Sequence, residues 1–269
     1  MKTYIVGKNA SLSARSPKIF RYLASKLNIP LEMYPKDISN KSSFITKLRE
    51  LSNQDDFHGL LITNPWKKLW SCYEENHPSI RVKSSGVSNL FWIDKRQRNR
   101  FENTDLIALR LILKRFNTEN VVIIGTGAMY KTIKLVLNKK VKVITSQYDS
   151  TIKNKSRIFR DDESKVIEIF KKSTLVINAT PCGSLGFPEM PIESSLIAFL
   201  PQNCTVLDLV HTHSNLIFKE SCSYNSIKYV NGIPMNNIQA VINFKIICSN
   251  YINKSYSYLY SLISKKLIT

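Results

Sequence analysis

The sequence predicts an α/β protein of two domains, and three observations carry that expectation. Short β-branched apolar runs alternate with amphipathic ones along the whole chain, the signature of repeated βα units and parallel sheets covered by helices. The length, 269 residues, gives each of two domains enough chain to bury a core of its own. Midway, an apolar run ends in Gly125-Thr126-Gly127-Ala128 and a helical pattern follows, the context in which a glycine pair shapes a strand-to-helix turn.

Taken in order, Thr3–Val6 reads as the first strand, and a serine-rich turn, Ser11 to Ser16, follows. Pro17 suits a first helical turn and opens an amphipathic run to about Leu27. Leu31–Tyr34 is a short strand, Phe44 to Leu51 a helix, and Gly59–Thr63 an apolar strand ending at Asn64-Pro65. Trp66 to Glu75 reads as a helix with Lys67 in its first turn. Val87–Ile93 is a strand, and the polar turn Lys95–Arg98 leads into Arg100–Phe101. Leu106, Leu109, Ile112, Leu113 and Phe116 recur at helical spacing, with Thr104 or Asp105 as N-cap. A second alternating set follows: strand Val121–Ile124, helix Ala128–Leu137, strand Val141–Thr145 and helix Ser164–Lys172. Strands Leu175–Asn178, Val206–Val210 and Lys228–Val230 come next. Two helical stretches, about Met235–Asn250 and Ser255–Leu267, close the pattern.

Composition narrows the class. The apolar fraction, 43 %, is that of a globular protein. No apolar run reaches the ~18–20 residues that cross a bilayer, and Met1–Val6 reads as a strand rather than a leader, so a soluble cytoplasmic protein with no membrane partner is expected. The five cysteines (Cys72, Cys182, Cys204, Cys222, Cys248) form no C-x-x-C pair and read as reduced structural thiols. His211 and His213 lack partners at zinc-ligand spacing, so no metal is expected. The net charge is +19. Its lysines and arginines are scattered rather than gathered on a basic helix, which argues against a nucleic-acid partner and for a basic surface that attracts anionic small molecules.

Two segments carry the candidate chemistry. Asn64-Pro65-Trp66-Lys67 and Asn103-Thr104-Asp105 each set one ionisable side chain beside a strand end or turn. A lysine and an aspartate brought together there can pass a proton to or from a substrate oxygen. In the glycine turn, Gly125 permits the tight turn and Gly127 lets a pyrophosphate approach the positive end of the following helix. The third small position of the G-x-G-x-x-[GA] pattern is occupied by Tyr130. The next strand ends in Thr145-Ser146-Gln147-Tyr148, without the acidic residue that binds a ribose or the arginine that binds a 2′-phosphate. Lys153, Lys155 and Arg157 follow and are candidates for a 2′-phosphate, with a solvated loop as their default reading.

With these residues in view, the sequence resembles the shikimate dehydrogenase family over nearly its whole length. Ser13-Ala14-Arg15-Ser16-Pro17 is similar to the family's S-x-S-P turn with one residue added. Ile62-Thr63-Asn64-Pro65-Trp66-Lys67 is similar to V-T-x-P-[FH]-K, Gly86-Val87-Ser88-Asn89 to G-A-V-N, and Asn103-Thr104-Asp105 matches N-T-D. Ile177-Asn178-Ala179-Thr180-Pro181 matches I-N-A-T-P. Asn231-Gly232-Ile233-Pro234-Met235 with Gln239-Ala240 is similar to N-G-x-x-M-x-x-x-Q-A. Each motif alone is weak, and their joint order is specific.

The resemblance implies an N-terminal α/β substrate domain (1–104), a Rossmann-like dinucleotide-binding domain (105–238), and C-terminal helices (239–269) packing back on the first domain. It implies an NADP-dependent oxidoreductase, with NAD the alternative, that reversibly reduces 3-dehydroshikimate to shikimate in chorismate and aromatic amino acid biosynthesis. Lys67 and Asp105 would be the catalytic pair, and Ser13, Ser16, Thr63, Asn89 and Gln239 would hold the substrate's hydroxyls and carboxylate. His211 stands where the family has a tyrosine, after Asp208-Leu209-Val210, and would be a further substrate contact, with a surface or hydrogen-bonded histidine as its default reading. Gly125, Gly127, Ala128, Asn178, Thr180 and Gly232 would line the cofactor. The expected assembly is a monomer or homodimer.

Departures from the family pattern cluster in the serine turn, at Leu61 and Tyr130, and at Ser146-Gln147-Tyr148, which replaces the N-R-T motif. They bear on ligand preference more than on fold. The alternatives they leave are a quinate or aminoshikimate-type dehydrogenase, and a cofactor-impaired homologue that binds the substrate without turning it over.

Overall fold

A computed structural model describes residues 1–264 except 75, 139–140, 145, 148–157, 160–162, 185–186 and 212–215. Thr145, Tyr148, Lys153, Lys155, Arg157, His213 and the ends expected at Glu75 and Leu267 lie outside the described residues. Contacts divide the chain into two compact units, Met1–Ala108 with Asn236–Thr269, and Leu109–Met235.

The first unit opens with β1 (Lys2–Gly7), a short α1 (Ala10–Ser13) inside the serine-rich turn, α2 (Ser16–Lys26), β2 (Glu32–Asp37), α3 (Lys41–Ser52) and β3 (Phe57–Ile62). Trp66–Cys72 is a 3₁₀ helix rather than the α-helix expected from its spacing. Next come β4 (Asn76–Pro78), α4 (Ile80–Ser85), β5 (Leu90–Ile93), β6 (Asn99–Glu102) and α5 (Thr104–Leu113), whose residues from Leu109 on belong to the second unit. These strands form one six-stranded sheet in the order β2-β1-β3-β5-β6-β4. The sheet is mixed: β1 runs parallel to β2 and β3, whereas β5 is antiparallel to both β3 and β6.

Side-chain alternation along the strands sorts the core into two layers. Ile5, Leu61 and Leu90 face a cluster with Ile19, Phe20 and Leu23 of α2. Tyr4, Val6, Leu60, Ile62 and Phe91 face the other way, onto Phe44 and Leu48 of α3. The first layer is completed from the far end of the sequence. Ala240 and Phe244 of α10 (Ile233–Ile247) and Leu259 and Ile263 of α11 (Tyr256–Ser264) join it, and Phe20 meets Phe244 edge-to-face at 5.2 Å.

The second unit contains β7 (Val121–Ile124), α6 (Ala128–Leu137), β8 (Lys142–Ile144), β9 (Ser146–Gln147), β10 (Ile158–Phe159), α7 (Glu163–Lys171) and β11 (Leu175–Asn178). It continues through α8 (Ser194–Ile197), β12 (Thr205–Asp208), α9 (Leu216–Tyr224) and β13 (Lys228–Val230). A five-stranded sheet runs β13-β12-β11-β7-β8 with every pairing parallel. The near-continuous apolar runs of β7 and β11 reflect burial on both faces, as a helix-covered parallel sheet requires. Among the described residues no helix is long and apolar enough to cross a membrane. No group of three or more His, Cys, Asp or Glu gathers among them as a metal site would need.

Candidate active site

Strand polarity explains why distant motifs of the first unit share one sheet edge. The carboxyl ends of β1 and β3 lie together because the strands are parallel, with Val6 beside Ile62. Antiparallel pairing turns the start of β5 to that same edge, with Leu61 opposite Leu90, and brings the end of β6 there, with Glu102 opposite Leu90. Residues just past those ends, Thr63–Lys67, Asn89 and Asn103–Asp105, therefore meet across a few strands.

Lys67 and Asp105 are the centre of that edge. Lys67 Nζ donates to Asp105 Oδ2 at 2.7 Å, and the side chains are only 13 % and 7 % exposed. Lys67 sits in the first turn of the 3₁₀ helix that follows the cis Asn64–Pro65 bond. Its carbonyl accepts from the Ser88 N–H at 2.8 Å, which ties its backbone to the segment leading into β5. Asp105 lies in the first turn of α5, where the helix dipole favours a carboxylate.

The expected cap of α5 is corrected by the structure. The helix begins at Thr104, and Asn103 caps it, its Oδ1 accepting from the Leu106 N–H at 3.1 Å. Thr104 cannot serve because its hydroxyl is engaged elsewhere: Oγ1 donates to Asn243 Oδ1 at 2.7 Å and accepts from Asn89 Nδ2 at 2.9 Å. The Thr104 N–H in turn donates to Asn89 Oδ1 at 2.8 Å. Asn89 is thus locked in place, and among the described residues one of its two amide protons is left for another acceptor.

Asn243 was missed by sequence reasoning, although a polar residue in the apolar run Ala240–Ile247 is itself a signal of buried hydrogen bonding. It lies one helical turn beyond Gln239, so the Thr104–Asn243 bond also fixes the face of α10 that carries Gln239. Thr63 follows β3, its N–H donating to the Val6 carbonyl at 2.9 Å. Ser16 is buried as the first residue of α2, whereas the Ser13 hydroxyl donates to Asn9 within its own turn at 2.7 Å. His211 belongs to the second unit, half-buried after β12.

The second unit holds the residues expected at a cofactor. Gly125 adopts φ +102°, and a Cβ there would meet Thr180 Cγ2 at 2.7 Å, so both conformation and space demand glycine. Gly127 is the N-cap of α6, where no side chain caps the helix and, among the described residues beyond its chain neighbours, nothing lies within 4 Å of an added Cβ. Among the described residues the first N–H groups of α6 therefore have no side-chain cap beside the open approach that starts at Ala128. Tyr130 lies half-buried in that helix's first turn.

Facing Gly125 is the loop after β11, and it too is held by side chains. Asn178 Oδ1 accepts from the Thr180 N–H at 3.0 Å and from its hydroxyl at 2.6 Å. Asn178 Nδ2 donates to Asp208 Oδ1 at 2.8 Å, and Asp208 Oδ2 accepts from the Tyr229 hydroxyl at 2.7 Å. Gly232 packs directly on the Leu209 backbone, with no room for a side chain.

No family model matches the chain. Among curated proteins it is similar to the shikimate dehydrogenase (NADP(+)) of Buchnera aphidicola subsp. Cinara cedri. The two are 30 % identical over 242 residues, which cover 84 % of this chain and 82 % of that protein. The chain belongs to the shikimate dehydrogenase family. It is also 22 % identical over 253 residues to the Roseobacter denitrificans enzyme of that name, covering 86 % of this chain and 87 % of that one. The match to the Methanocaldococcus jannaschii enzyme is shorter, 24 % over 162 residues, and spans 56 % of that protein.

Solved structures share the fold. Shikimate dehydrogenase 1 of Peptoclostridium difficile superposes with a TM-score of 0.77 at 24 % identity, covering 99 % of this chain and 98 % of that one. A quinate dehydrogenase from Corynebacterium glutamicum in complex with NAD gives a TM-score of 0.72 at 18 % identity, covering 98 % and 99 %. The architecture is therefore common to enzymes named for either polyol. The chain is a member of an oxidoreductase family with a substrate-domain sheet and a Rossmann-like sheet.

Proposed function

We propose that this protein interconverts 3-dehydroshikimate and shikimate with NADP, Lys67 and Asp105 forming the acid–base pair. The observation that carries the reading is the part-buried 2.7 Å contact between them at a strand edge shared with Asn89 and Thr63. A ketone oxygen that gains a hydride becomes negative, and the Lys67 ammonium both stabilises that charge and supplies the proton. Asp105 fixes the direction of the ammonium and offers its other oxygen to a substrate hydroxyl. The free amide proton of Asn89, with Thr63, Ser13, Ser16 and Gln239, accounts for polyol and carboxylate recognition, and His211 is a further contact.

NADPH, when bound, supplies the hydride. The curated relatives are named for NADP(+), and this chain's glycine turn fits a dinucleotide. Gly125 cannot carry a side chain, Gly127 leaves open space, and the start of α6 at Ala128 has no side-chain cap. Asn178, Thr180 and Gly232 would complete the lining. An assay of nicotinamide absorbance with shikimate or quinate, each with NADP or NAD, tests the reading. Turnover fastest with shikimate and NADP is expected. Absence of turnover in every combination, with shikimate still raising the Tm, would replace it with substrate binding alone.

A further inference from the structure

Glu102, the residue before Asn103-Thr104-Asp105, is a buried carboxylate with an unusual number of donors. Its Oε1 accepts from the Ser79 hydroxyl at 2.6 Å, from Arg81 Nε at 2.9 Å and from the Asn103 N–H at 2.8 Å. Its Oε2 accepts from Arg81 Nη2 at 2.5 Å, which completes a bidentate pair. Burial alone would push the carboxyl up, but these hydrogen bonds outweigh it and hold it below its ordinary value. The Glu102 carbonyl is engaged as well, accepting from the Asn89 N–H and the Ser88 hydroxyl, both at 3.0 Å.

The donors come from one short element. Ser79 caps α4 and Arg81 lies in its first turn. At the other end of α4, the Ser85 hydroxyl accepts from Asn103 Nδ2 at 2.9 Å. Helix α4 therefore grips the segment 102–103 at two points, and that segment caps α5 and carries Asp105.

We propose that Arg81 and Glu102 form a clamp that positions Asp105 and Asn89, making both positioning residues for the reaction. The proposal rests on the reading of Lys67 and Asp105 as the acid–base pair. Among the described residues neither clamp side chain makes a hydrogen bond or ion pair with Lys67 or Asp105. Their effect passes through the backbone of Asn103 and through the Glu102 carbonyl, which set where the α5 cap and Asn89 stand. Displacement of a reacting group by about 1 Å costs up to ~10²-fold in rate.

The test compares Arg81→Met, which keeps the aliphatic stem, with Arg81→Lys, which keeps the charge but not the fork. In Arg81→Met, kcat with shikimate should fall between about tenfold and a hundredfold, with KM for NADP within about twofold of wild type. Arg81→Lys should fall between the two. Amide exchange should quicken about tenfold or more at Asn103, Thr104 and Leu106, while the amides of β1 and β2 keep their wild-type rates. Equal quickening across the first unit would overturn the clamp in favour of general destabilisation. So would unchanged kcat and unchanged exchange. If wild type turns over no polyol, the functional reading is what fails, and amide exchange at those positions alone decides the clamp.

Discussion

Around Lys67 and Asp105 the protein deploys buried side chains, whereas around Gly125 and Gly127 it removes them. Asn89, Glu102, Asn103, Thr104 and Asp105 are all buried, and each is held by hydrogen bonds from another element. Such a web is costly to damage, because every lost partner leaves a desolvated group unsatisfied. The glycine turn is shaped by a positive φ and by open space at Gly127, and what it excludes is bulk. The two regions should therefore fail differently: injury to the first should appear in kcat, and injury to the second in the affinity for the nucleotide.

The largest effect is expected at the first region. Lys67→Ala should lower kcat by roughly 10²–10⁴-fold with a smaller change in KM for shikimate, as loss of an acid–base group predicts. Steady-state kinetics measure the split, and an unchanged kcat would remove Lys67 from the chemistry. Next comes Gly125→Val at the second region. A branched side chain is strained at φ +102° and collides with Thr180, a local cost of roughly 1–3 kcal/mol. KM for NADP should rise about tenfold, while the Tm shift with shikimate should match that measured for wild type. A fall in kcat with unchanged nucleotide KM would erase the contrast between the regions.

The same contrast explains what the sequence made legible. Apolar alternation marked β1, β3, β7, β11 and β12, because a strand buried on one or both faces writes its burial into consecutive residues. The elements α1, α4, α8, α9, β4, β9 and β10 were not expected. Helix α4 depends on the Ser79 cap and on contacts with Glu102, which lies twenty-odd positions away, and no local period announces such contacts. The Trp66–Cys72 segment has helical spacing, yet it winds as 3₁₀. The named candidates Lys67 and Asp105 were legible through their motifs, and their 2.7 Å contact follows from antiparallel pairing of β5 that spacing alone does not reveal. Asn243 and Glu102 were missed for a related reason: each is a polar residue whose partners arrive only through tertiary packing.

The second region has one side-chain web of its own, which gives the smallest and most discriminating prediction. Tyr229 donates to Asp208, Asp208 accepts from Asn178, and Asn178 holds Thr180 against Gly125. Burial and the adjacent Asp208 push the Tyr229 phenol up, so it stays protonated and donating across any assay pH. Tyr229→Phe removes one of the hydrogen bonds to Asp208 and keeps the ring's edge-to-face contact with Phe218 at 5.9 Å. Asp208 Oδ1 still accepts from Asn178 and from the Val210 N–H at 3.0 Å. The loss should be about 1–2 kcal/mol, read as a Tm lower by ~2–4 °C for each kcal/mol. KM for NADP should stay within about twofold, because Asn178 keeps both its donor and its acceptor role. A rise of tenfold or more with little change in Tm would make the Tyr229–Asp208 link part of the grip on the nucleotide. The second region would then depend on side-chain hydrogen bonding much as the first does.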